Sequence, residues 1–384
     1  MKKNIFVVTW YKSINFGTCL QAYATHKVLK NRANVVILNH RSYYSLDKLN
    51  FLIEKLFQKV KGQFAGKNVP NYSNYSAAVE RKMQKVDRMA DENYKVRSIR
   101  SRKDVKEIDT WTDCYLVGSD QMWNPWMLSP QYLLDFVPRK RKKPKYSYAA
   151  SFGIDNIPEK KGGLYKKYLP QFSKITVREP RGAELVKELS GQDATVVLDP
   201  TFLLTPDEWR EFADQSEICK QYGLNNDYIL CYFIGAPEFN HLEKVKQIAD
   251  ALKLKVVLIP IKEKDYMEEN VIIVADACAY DFVTLIDNAK LVCTDSFHAV
   301  VFSFLTESAF YDFPRFKKGD KYSQEARLQN IMGKFMLEGS YWSDNLNTSE
   351  IEEHFHCDYT QGHRILKEER ERSLRILYEM IEAQ

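Results

Sequence analysis

A polar corner between two apolar segments carries side chains that could bind an anion. Leu291–Cys293 has the pattern of a strand buried on both faces, and the segment AVVFSFL after His298 has that of a helix. A strand that turns into a helix presents free backbone N–H groups and the positive end of the helix dipole. Ligands of open α/β sheets bind at the carboxyl ends of the strands. We therefore expect Ser296, His298 and the amides around them to face a cleft and to suit an anionic ligand. The alternative is that His298 opens the helix within a satisfied hydrogen-bond network.

The loop after the strand CYLVG has the residue types of a sugar site. Asp120 and Gln121 follow the strand, and Trp123, Asn124 and a second tryptophan, Trp126, come next. A carboxylate can bind or deprotonate a hydroxyl group, and an indole face can stack on the apolar face of a hexose. The alternative is that Asp120 caps a helix and that the indole fills core. We predict a sugar-binding loop here.

Basic side chains occupy two further positions that fit the same cleft. Arg178 lies at the carboxyl end of the strand ITVRE. A guanidinium binds a carboxylate or a phosphate through two hydrogen bonds. The loop 314–321 carries Lys317, Lys318 and other cations, and Arg327 follows in the helix EARLQNIMGKF. We expect these groups to bind an anion, the alternative for Arg178 being an ion pair with a neighbouring acid.

The first loop of the chain can bring backbone close to a ligand. Asn15 and Gly17 lie between the strand Asn4–Val8 and a helix that ends near Lys30. This loop holds one glycine and lacks the G-x-G-x-x-G pattern of dinucleotide-binding folds, so we predict no nicotinamide site. The alternative for Asn15 and Gly17 is a tight turn into the helix cap.

The elements that must position these residues alternate between strand and helix in both halves of the chain. Such alternation predicts an α/β fold with a parallel sheet in each half and a cleft between the carboxyl ends of both sheets. We place an N-terminal domain at 1–200, with a helical insertion at about 43–102, and a C-terminal domain at 201–360. The helix in 361–384 is expected to pack back on the first domain.

Two segments between these elements are strongly polar. The insertion is rich in Lys, Arg, Asn and Tyr and includes the helical patterns NFLIEKLFQKV and VERKMQKVDRM. It could be a lid or an acceptor-side region, or a solvated insertion with no role. The basic run Arg139–Lys145 is either a solvated loop or a contact with anionic lipid or a diphosphate, worth ~1 kcal/mol per charge at a membrane surface.

Composition limits the class of protein. The 384 residues carry a formal net charge of +5, which favours an anionic substrate or membrane surface and is too weak to indicate nucleic acid. The seven cysteines are scattered singly, as is typical of reduced core residues. The sequence has no apolar run long enough for a signal peptide or a membrane span. His354-Phe355-His356-Cys357 is interpreted as surface loop, and we predict no metal site. We expect a cytoplasmic protein that can contact the inner face of the membrane.

The motifs VGSDQMWNP, YAASFG, ITVREPRG, VVLDPTFLL and TDSFHAVVFSF, in this order, resemble those of the polysaccharide pyruvyl transferase family. The resemblance runs from Asn15-Phe16-Gly17 to about Arg327. It implies two Rossmann-like domains facing a central cleft, as in glycosyltransferase-B folds. It also implies transfer of the enolpyruvyl group of phosphoenolpyruvate to two hydroxyls of a sugar, giving a pyruvate ketal and phosphate with no cofactor. The acceptor would belong to a bacterial-type surface polysaccharide or its lipid-linked precursor.

The resemblance implies roles for the residues singled out above. The catalytic residues would be His298, as the acid or the phosphate partner, and Asp120, as the group that takes the hydroxyl proton. The donor side would comprise Arg178, Ser296, Phe297, His298, Lys318 and Arg327. The acceptor side would comprise Asn15, Gly17, Asp120, Gln121, Trp123 and Asn124.

The sequence departs from the family in the opening corner. Some members have Arg-Leu-His where this chain has Ser296-Phe297-His298, and many have Gly where it has Ala299. One anion-binding arginine is therefore missing, and Lys317, Lys318 or Arg327 would have to replace it. Two other functions stay open: a nucleotide-sugar-dependent glycosyltransferase on the same fold, and a non-catalytic glycan- or anion-binding relative.

Overall fold

The computed structural model describes residues 2–43, 73–138, 143–235, 239, 241–317 and 325–383. The strands in these residues form a seven-stranded and a five-stranded sheet, and the strands pair in parallel in both. The predicted α/β class with a parallel sheet in each half is confirmed.

The first sheet has the strand order β3-β2-β1-β4-β5-β6-β7. Its strands are β1 (Lys3–Val8), β2 (Ala33–Tyr43), β3 (Val96–Ile99), β4 (Cys114–Val117), β5 (Lys145–Ala150), β6 (Lys174–Val177) and β7 (Ala194–Val196). The helices of this half are α1 (Phe16–Lys30), α2 (Ser73–Asn93), α3 (Arg102–Trp111), α4 (Gly162–Tyr168) and α5 (Pro180–Ser190).

The second sheet has the strand order β10-β9-β8-β11-β12. Its strands are β8 (Tyr228–Tyr232), β9 (Lys255–Leu258), β10 (Ile272–Ile273), β11 (Leu291–Thr294) and β12 (Phe310–Asp312). The helices that follow β7 are α6 (Pro206–Ala213), α7 (Ile218–Tyr222), α8 (His241–Leu252), α9 (Ala279–Asp287), α10 (Phe297–Thr306), α11 (Glu325–Lys334), α12 (Thr348–His354) and α13 (Thr360–Glu382).

The central strands have the composition that burial on both faces requires. β4, β8 and β11 are buried at every position, and their sequences are continuous apolar runs apart from the last residue of β11. Helices cover both faces of a parallel sheet, so its inner strands show no alternation of polar and apolar residues.

Each sheet has a point at which the strand order reverses. The chain runs from β1 outward to β3 and then returns to β4 on the other side of β1. In the second sheet it runs from β8 outward to β10 and returns to β11 on the other side of β8. Ligands bind at such switch points, beside the carboxyl ends of the strands. The loops that follow β1, β4, β8 and β11 are therefore the ones that border the cleft.

The two halves meet through the start of α1. The ring of Phe16 lies 5.0 Å from that of Phe282 on α9 and 5.8 Å from that of Tyr232 on β8. On α2, Lys82 Nζ donates a hydrogen bond to the carbonyl of Pro260, beyond the end of β9. The carboxyl ends of the two sheets are thereby held close together.

The segment 43–102 is only partly an insertion. VERKMQKVDRM lies in α2, as predicted, whereas NFLIEKLFQKV lies outside the described residues. β3 pairs with β2 at the edge of the sheet, so the last part of the expected insertion belongs to the sheet. A strand of only Val96–Ile99 includes an exposed Arg97, which an edge strand tolerates, and the polar composition around it hid the strand.

The last helix, α13, contacts the first half of the chain. Ser373 Oγ accepts a hydrogen bond from the backbone N–H of Leu198, and Arg372 donates to the carbonyl of Val196. Near the end of α13, Glu382 forms an ion pair with Arg32, which follows α1. Within the described part of the chain, no helix has the length and apolar character needed to cross a bilayer.

Candidate active site

Asp199 lies at the centre of a buried polar cluster. It follows β7, and its Oδ2 accepts hydrogen bonds from Arg178 Nη1 at 2.8 Å and from Ser119 Oγ at 3.0 Å. Its Oδ1 accepts from the backbone N–H of Thr201 at 3.0 Å and from Thr201 Oγ1 at 2.8 Å. Burial alone would raise the pKa of Asp199, but the nearby His298 and the charge of Arg178 outweigh it and lower that pKa strongly. Asp199 is therefore a carboxylate that holds Arg178 in place.

Arg178 is a buried cation with further hydrogen-bonding capacity. Its Nε lies 3.7 Å from Glu179 Oε2, and neither Nε nor Nη2 has a hydrogen-bond partner among the described groups. Burial disfavours the charged guanidinium, but the charges of Asp199, Glu179 and Asp120 outweigh it and raise the pKa of Arg178. The guanidinium stays protonated and carries two N–H groups that can bind an anion.

The ring of Phe297 contacts the guanidinium groups of two arginines. The guanidinium carbon of Arg178 lies 4.3 Å from the ring centroid of Phe297, and that of Arg327, on α11, lies 6.0 Å from it. Burial, followed by the positive charge of Arg178, lowers the pKa of Arg327 to about 9. Two like charges this close are unfavourable without an anion nearby. The arrangement brings Arg327 to the ring of Phe297, the residue that follows Ser296.

His298 lies at the junction of the two halves. Its Nε2 is 3.8 Å from Asp199 Oδ1 and has no hydrogen-bond partner in the described part of the chain. The other side of its ring packs on Gly17, where an added Cβ would lie 2.0 Å from Nδ1. Only glycine allows α1 and α10 to approach this closely. His298 is thus fixed between two helix N-termini, with Nε2 directed at the cluster.

Asp120 lies at the switch point of the first sheet and has an unusual backbone. Its φ is +65°, in the left-handed region that few residues other than glycine adopt. Its Oδ2 accepts a hydrogen bond from Thr18 Oγ1 at 2.8 Å. Its backbone forms a bridge with Ala150 at the end of β5. The cluster thus contains carboxylates of both Asp120 and Asp199 and the cation of Arg178.

Glu179 links the motif YAASFG to the motif ITVRE. Its Oε1 accepts hydrogen bonds from Ser151 Oγ at 2.8 Å and from the backbone N–H of Phe152 at 3.2 Å. This bond pattern orients the peptide that carries Arg178 relative to β5. The sequence alternative of an ion pair for Arg178 is therefore also present, mainly with Asp199.

Several residues predicted on the acceptor side bond to their own loops. Asn15 Oδ1 caps α1 by accepting from the backbone N–H of Gly17 at 3.1 Å. Asn124 Nδ2 donates to Gln121 Oε1 at 2.7 Å, and Asn124 Oδ1 accepts from the N–H of Trp126 at 3.0 Å. The bond of Asn15 matches the alternative interpretation of a tight turn into the helix cap.

Trp123 does not face the cleft. Its side chain is fully buried, and its Nε1 donates to the carbonyl of Tyr132 at 2.9 Å. Its ring lies 5.5 Å from that of Phe152 and 5.7 Å from that of Phe172. The expected stacking of this indole on a sugar is wrong for this position, because the turn after Asp120 folds the ring back into the core. The exposed indole of the loop is that of Trp126.

The side chain of Ser296 caps a helix. Its Oγ accepts from the backbone N–H of Ala299 at 3.5 Å, as the N-cap of α10. Lys318, the other predicted donor-side group of this region, lies outside the described residues. The same is true of residues 139–142 of the basic run, whereas Lys143 donates to the carbonyls of Asp109 and Thr112, and Lys145 donates to that of Leu134 at 3.3 Å.

The segment His354–Cys357 is less exposed than a surface loop. His354 ends α12, its Nε2 lies 2.8 Å from the carbonyl oxygen of Phe310, and its ring stacks on that of Tyr311 at 4.3 Å. In the described residues, no group of three or more His, Cys, Asp or Glu side chains is arranged to hold a metal ion.

Sequence analysis missed Asp199, together with Ser119, Thr201 and Thr18. A usable signal was present in the motif VVLDPTFLL, because Asp199 follows its apolar run in the same kind of position as Asp120 and Arg178.

A comparison with known protein families identifies the family that carries this cluster. A profile of the family described as "Polysaccharide pyruvyl transferase" matches residues 15–307. The chain belongs to the polysaccharide pyruvyl transferase family. The match begins at the Asn15 loop and ends directly after α10, so it includes Asp120, Arg178, Asp199 and His298. Family membership makes this chain a transferase of polysaccharide biosynthesis. No curated protein matches the sequence significantly.

Solved structures show the fold of this family member. A UDP-GlcNAc 2-epimerase from Methanocaldococcus jannaschii aligns over 96% of this chain and 99% of its own, with a TM-score of 0.54 and 12% identity. The S. aureus MnaA–UDP complex aligns over 99% and 96%, with a TM-score of 0.53 and 13% identity. The UDP-GlcNAc 2-epimerase from Neisseria meningitidis bound to UDP-GlcNAc aligns over 98% and 99%, with a TM-score of 0.52 and 10% identity. The fold is glycosyltransferase-B-like, as expected.

Proposed function

We propose that this transferase moves the enolpyruvyl group of phosphoenolpyruvate onto two hydroxyls of a sugar, releasing phosphate. The acceptor would be a sugar of a bacterial-type surface polysaccharide or of its lipid-linked precursor. The observation that carries the proposal is Arg178, which Asp199 fixes at 2.8 Å beside His298 while its Nε and Nη2 lack partners among the described groups.

The donor has two anionic groups, a phosphate and a carboxylate, and the cluster has matching cations. The unpaired N–H groups of Arg178 suit one of them, since a buried donor without a partner costs about 1–3 kcal/mol that a bound anion would remove. Arg327 shares the Phe297 ring with Arg178 and suits the other. Arg327 would thus replace the arginine that some family members carry at the position of Ser296.

The reaction is a sequence of proton transfers and one displacement. A proton adds to the methylene carbon, which becomes a methyl group and leaves positive charge on carbon 2. One sugar hydroxyl attacks carbon 2 and loses its proton, and the bond from carbon 2 to the phosphate oxygen breaks with its electron pair going to phosphate. The second hydroxyl then adds to carbon 2 and closes the ketal. Of the two hydroxyl protons, one replaces the proton used on the methylene and the other leaves with phosphate.

His298 and Asp120 have suitable roles in this sequence. The Nε2 of His298 has no partner among the described groups and lies 3.8 Å from Asp199, whose negative charge offsets that of an imidazolium. His298 is therefore the proposed acid for the methylene carbon. Asp120, held by Thr18 at the neighbouring switch point, is the proposed acceptor of the first hydroxyl proton.

The test is phosphate release from phosphoenolpyruvate with glycosides of galactose, mannose and N-acetylmannosamine as acceptors. We expect release that depends on one of these sugars and a product that is heavier by the pyruvate ketal in mass spectrometry. Sugar-independent release, or none with the whole panel, would contradict the proposal.

A second candidate function is transfer from a nucleotide sugar. Its support is the fold, since two similar structures are complexes with UDP-GlcNAc or UDP. At 10% and 13% identity the likeness extends to the fold alone, and the family match favours the first candidate. Release of UDP from UDP-GlcNAc, with no phosphate from phosphoenolpyruvate, would reverse this preference.

A lipid-linked acceptor would require contact with a membrane surface, and we propose the basic run Arg139–Lys145 for it. Because Lys143 and Lys145 bind carbonyls, residues 139–142 would carry the contact. We expect the change of these four residues to Gln to reduce sedimentation with anionic vesicles at low salt, while turnover of a soluble glycoside is unchanged. Equal sedimentation of both proteins would exclude the membrane contact.

A further inference from the structure

A cavity of about 230 Å³ adjoins the arginine cluster on the side of the second sheet. Phe297 and Arg327 line it, and Phe297 also supports Arg178 at 4.3 Å. The cavity and the proposed donor site therefore share Phe297 and Arg327. A molecule in the cavity would be close to a donor held by Arg178.

One wall of the cavity carries buried carboxylates. Asp312 ends β12 and is 8% exposed, and its Oδ1 has no hydrogen-bond partner among the described groups. Asp295 follows β11, and its two oxygens accept from the backbone N–H groups of Ile234 and Gly235 at 2.6 Å each. A buried acceptor without a donor is unfavourable, so Asp312 points to a ligand that donates hydrogen bonds.

Aromatic rings line the cavity beside Asp312, since the backbone of Tyr341 forms a bridge with that of Asp312. The Trp342 ring stacks on that of Phe313 at 4.6 Å with an interplanar angle of 10°. Tyr341, 36% exposed, lines the cavity beside them. An aromatic surface next to carboxylates suits a pyranose ring, whose C–H face packs on an aromatic ring while its hydroxyls donate to acids.

Charge argues against the donor itself as the occupant. The lining includes Asp295, Asp312 and Glu325, against Arg315 and Arg327. Burial raises the pKa of Asp295, and burial together with the charges of Asp295 and Glu325 raises that of Asp312. The acidic groups of the lining therefore repel one another. A bound anion would add to this repulsion, whereas a neutral polyhydroxyl ligand would not. The volume is below the range of roughly 300–1,000 Å³ typical of ligand pockets, which fits a single ring.

We propose that this cavity binds one neutral pyranose ring of the acceptor, with Asp312 accepting from its hydroxyls and Tyr341 contacting its apolar face. This proposal rests on the proposed function for the reaction that follows. It places the acceptor ring on the side of the second sheet, next to Phe297 and Arg327.

The experiment measures sugar binding separately from chemistry. Saturation-transfer NMR on the full chain, without phosphoenolpyruvate, uses methyl glycosides of galactose, mannose and N-acetylmannosamine as probes. The variants are Tyr341→Ala and Asp312→Asn, and the matched control is Trp126→Ala, which removes the exposed indole of the first-domain loop. We expect at least tenfold weaker binding of the best glycoside by both variants and wild-type binding by the control, with calorimetric phosphoenolpyruvate affinity unchanged in Tyr341→Ala.

Three results would overturn the proposal: no glycoside binds the wild type, both folded variants bind normally, or only Trp126→Ala loses binding. If Asp312→Asn does not fold, Tyr341→Ala decides alone, because its side chain is partly exposed. Failure of the proposed function is a different result, in which a bound glycoside gives no phosphate from phosphoenolpyruvate. That outcome leaves the sugar-binding measurements as they are.

Discussion

Arg178 and Arg181 differ in what surrounds them, although both lie near the start of α5. Arg178 is buried and bound to Asp199, whereas Arg181 forms surface ion pairs with Glu184 and Glu188. We predict that Arg178→Ala weakens phosphoenolpyruvate binding by ~2–5 kcal/mol, as when one partner of a desolvated charge contact is removed. Arg181→Ala should bind as the wild type does. Isothermal titration calorimetry measures both.

Unchanged donor affinity in a folded Arg178→Ala protein would contradict the donor assignment. Folding needs its own check, because Arg178→Ala also leaves Asp199 without its ion pair. A far-ultraviolet circular dichroism spectrum and a thermal melt provide it.

Substitution of His298 tests whether this residue acts as a general acid or only binds phosphate. If it supplies the proton, His298→Gln should slow single turnover by ~10²–10⁴-fold at saturating phosphoenolpyruvate, with little change in donor affinity. If it only binds phosphate, donor affinity should fall and saturated turnover should survive. We predict the first result, because Nε2 has no partner in the described residues. Normal turnover and affinity in a folded variant would remove His298 from the site.

At the scale of elements, strand ends were predictable and side-chain directions were not. Apolar runs place Asp120, Arg178 and His298 at the carboxyl ends of parallel strands from sequence alone, because burial on both faces demands continuous apolar residues. The sequence around Trp123 fits a sugar site and a core position equally well, and only the turn geometry decides between these two interpretations. Asp199 had the same sequence signal as Asp120, but its importance comes from contacts with residues far away in the chain.

The contact between α1 and α10 depends on Gly17. A Cβ at this position would meet the His298 ring at 2.0 Å, so Gly17→Ala must displace the ring or separate the helices. We predict a loss of ~1–3 kcal/mol in the free energy of unfolding and a loss of turnover similar to that of His298→Gln. Urea denaturation and single-turnover kinetics measure the two effects.

The matched control for Gly17→Ala is Gly163→Ala in α4, where an added Cβ meets nothing within 4 Å. Alanine favours helix over glycine by roughly 0.5–1 kcal/mol, so this variant should be as stable as the wild type or more so, with normal turnover. Equal stability and turnover of the two variants would show that the close contact at Gly17 does not matter for either property.

At the scale of the molecule, the site exists only where the two sheets meet. Asp120, Arg178 and Asp199 come from the first sheet, and His298 comes from the second. Contacts across the halves therefore set the geometry of the cluster. Besides α1, these contacts include α2, whose Lys82 and Lys85 reach the loops after β9 and β10.

Lys82 gives this interface a dependence on pH. It is 1% exposed, and burial lowers its pKa to about 8, although Asp276 and Asp265 oppose the shift. The unfolded chain, with an ordinary lysine pKa near 10.4, binds more protons than the folded chain between these values. Lys82 therefore destabilises the fold most fully below pH 8, and this cost declines as the pH rises toward 10.

We predict that Lys82→Met raises the melting temperature at pH 7 and that its advantage shrinks by pH 9.5. Lys85→Met, which removes an ion pair with Asp276 at 3.1 Å, should gain nothing at either pH. A constant advantage of Lys82→Met at both pH values would mean that the buried charge of Lys82 is not what destabilises the fold.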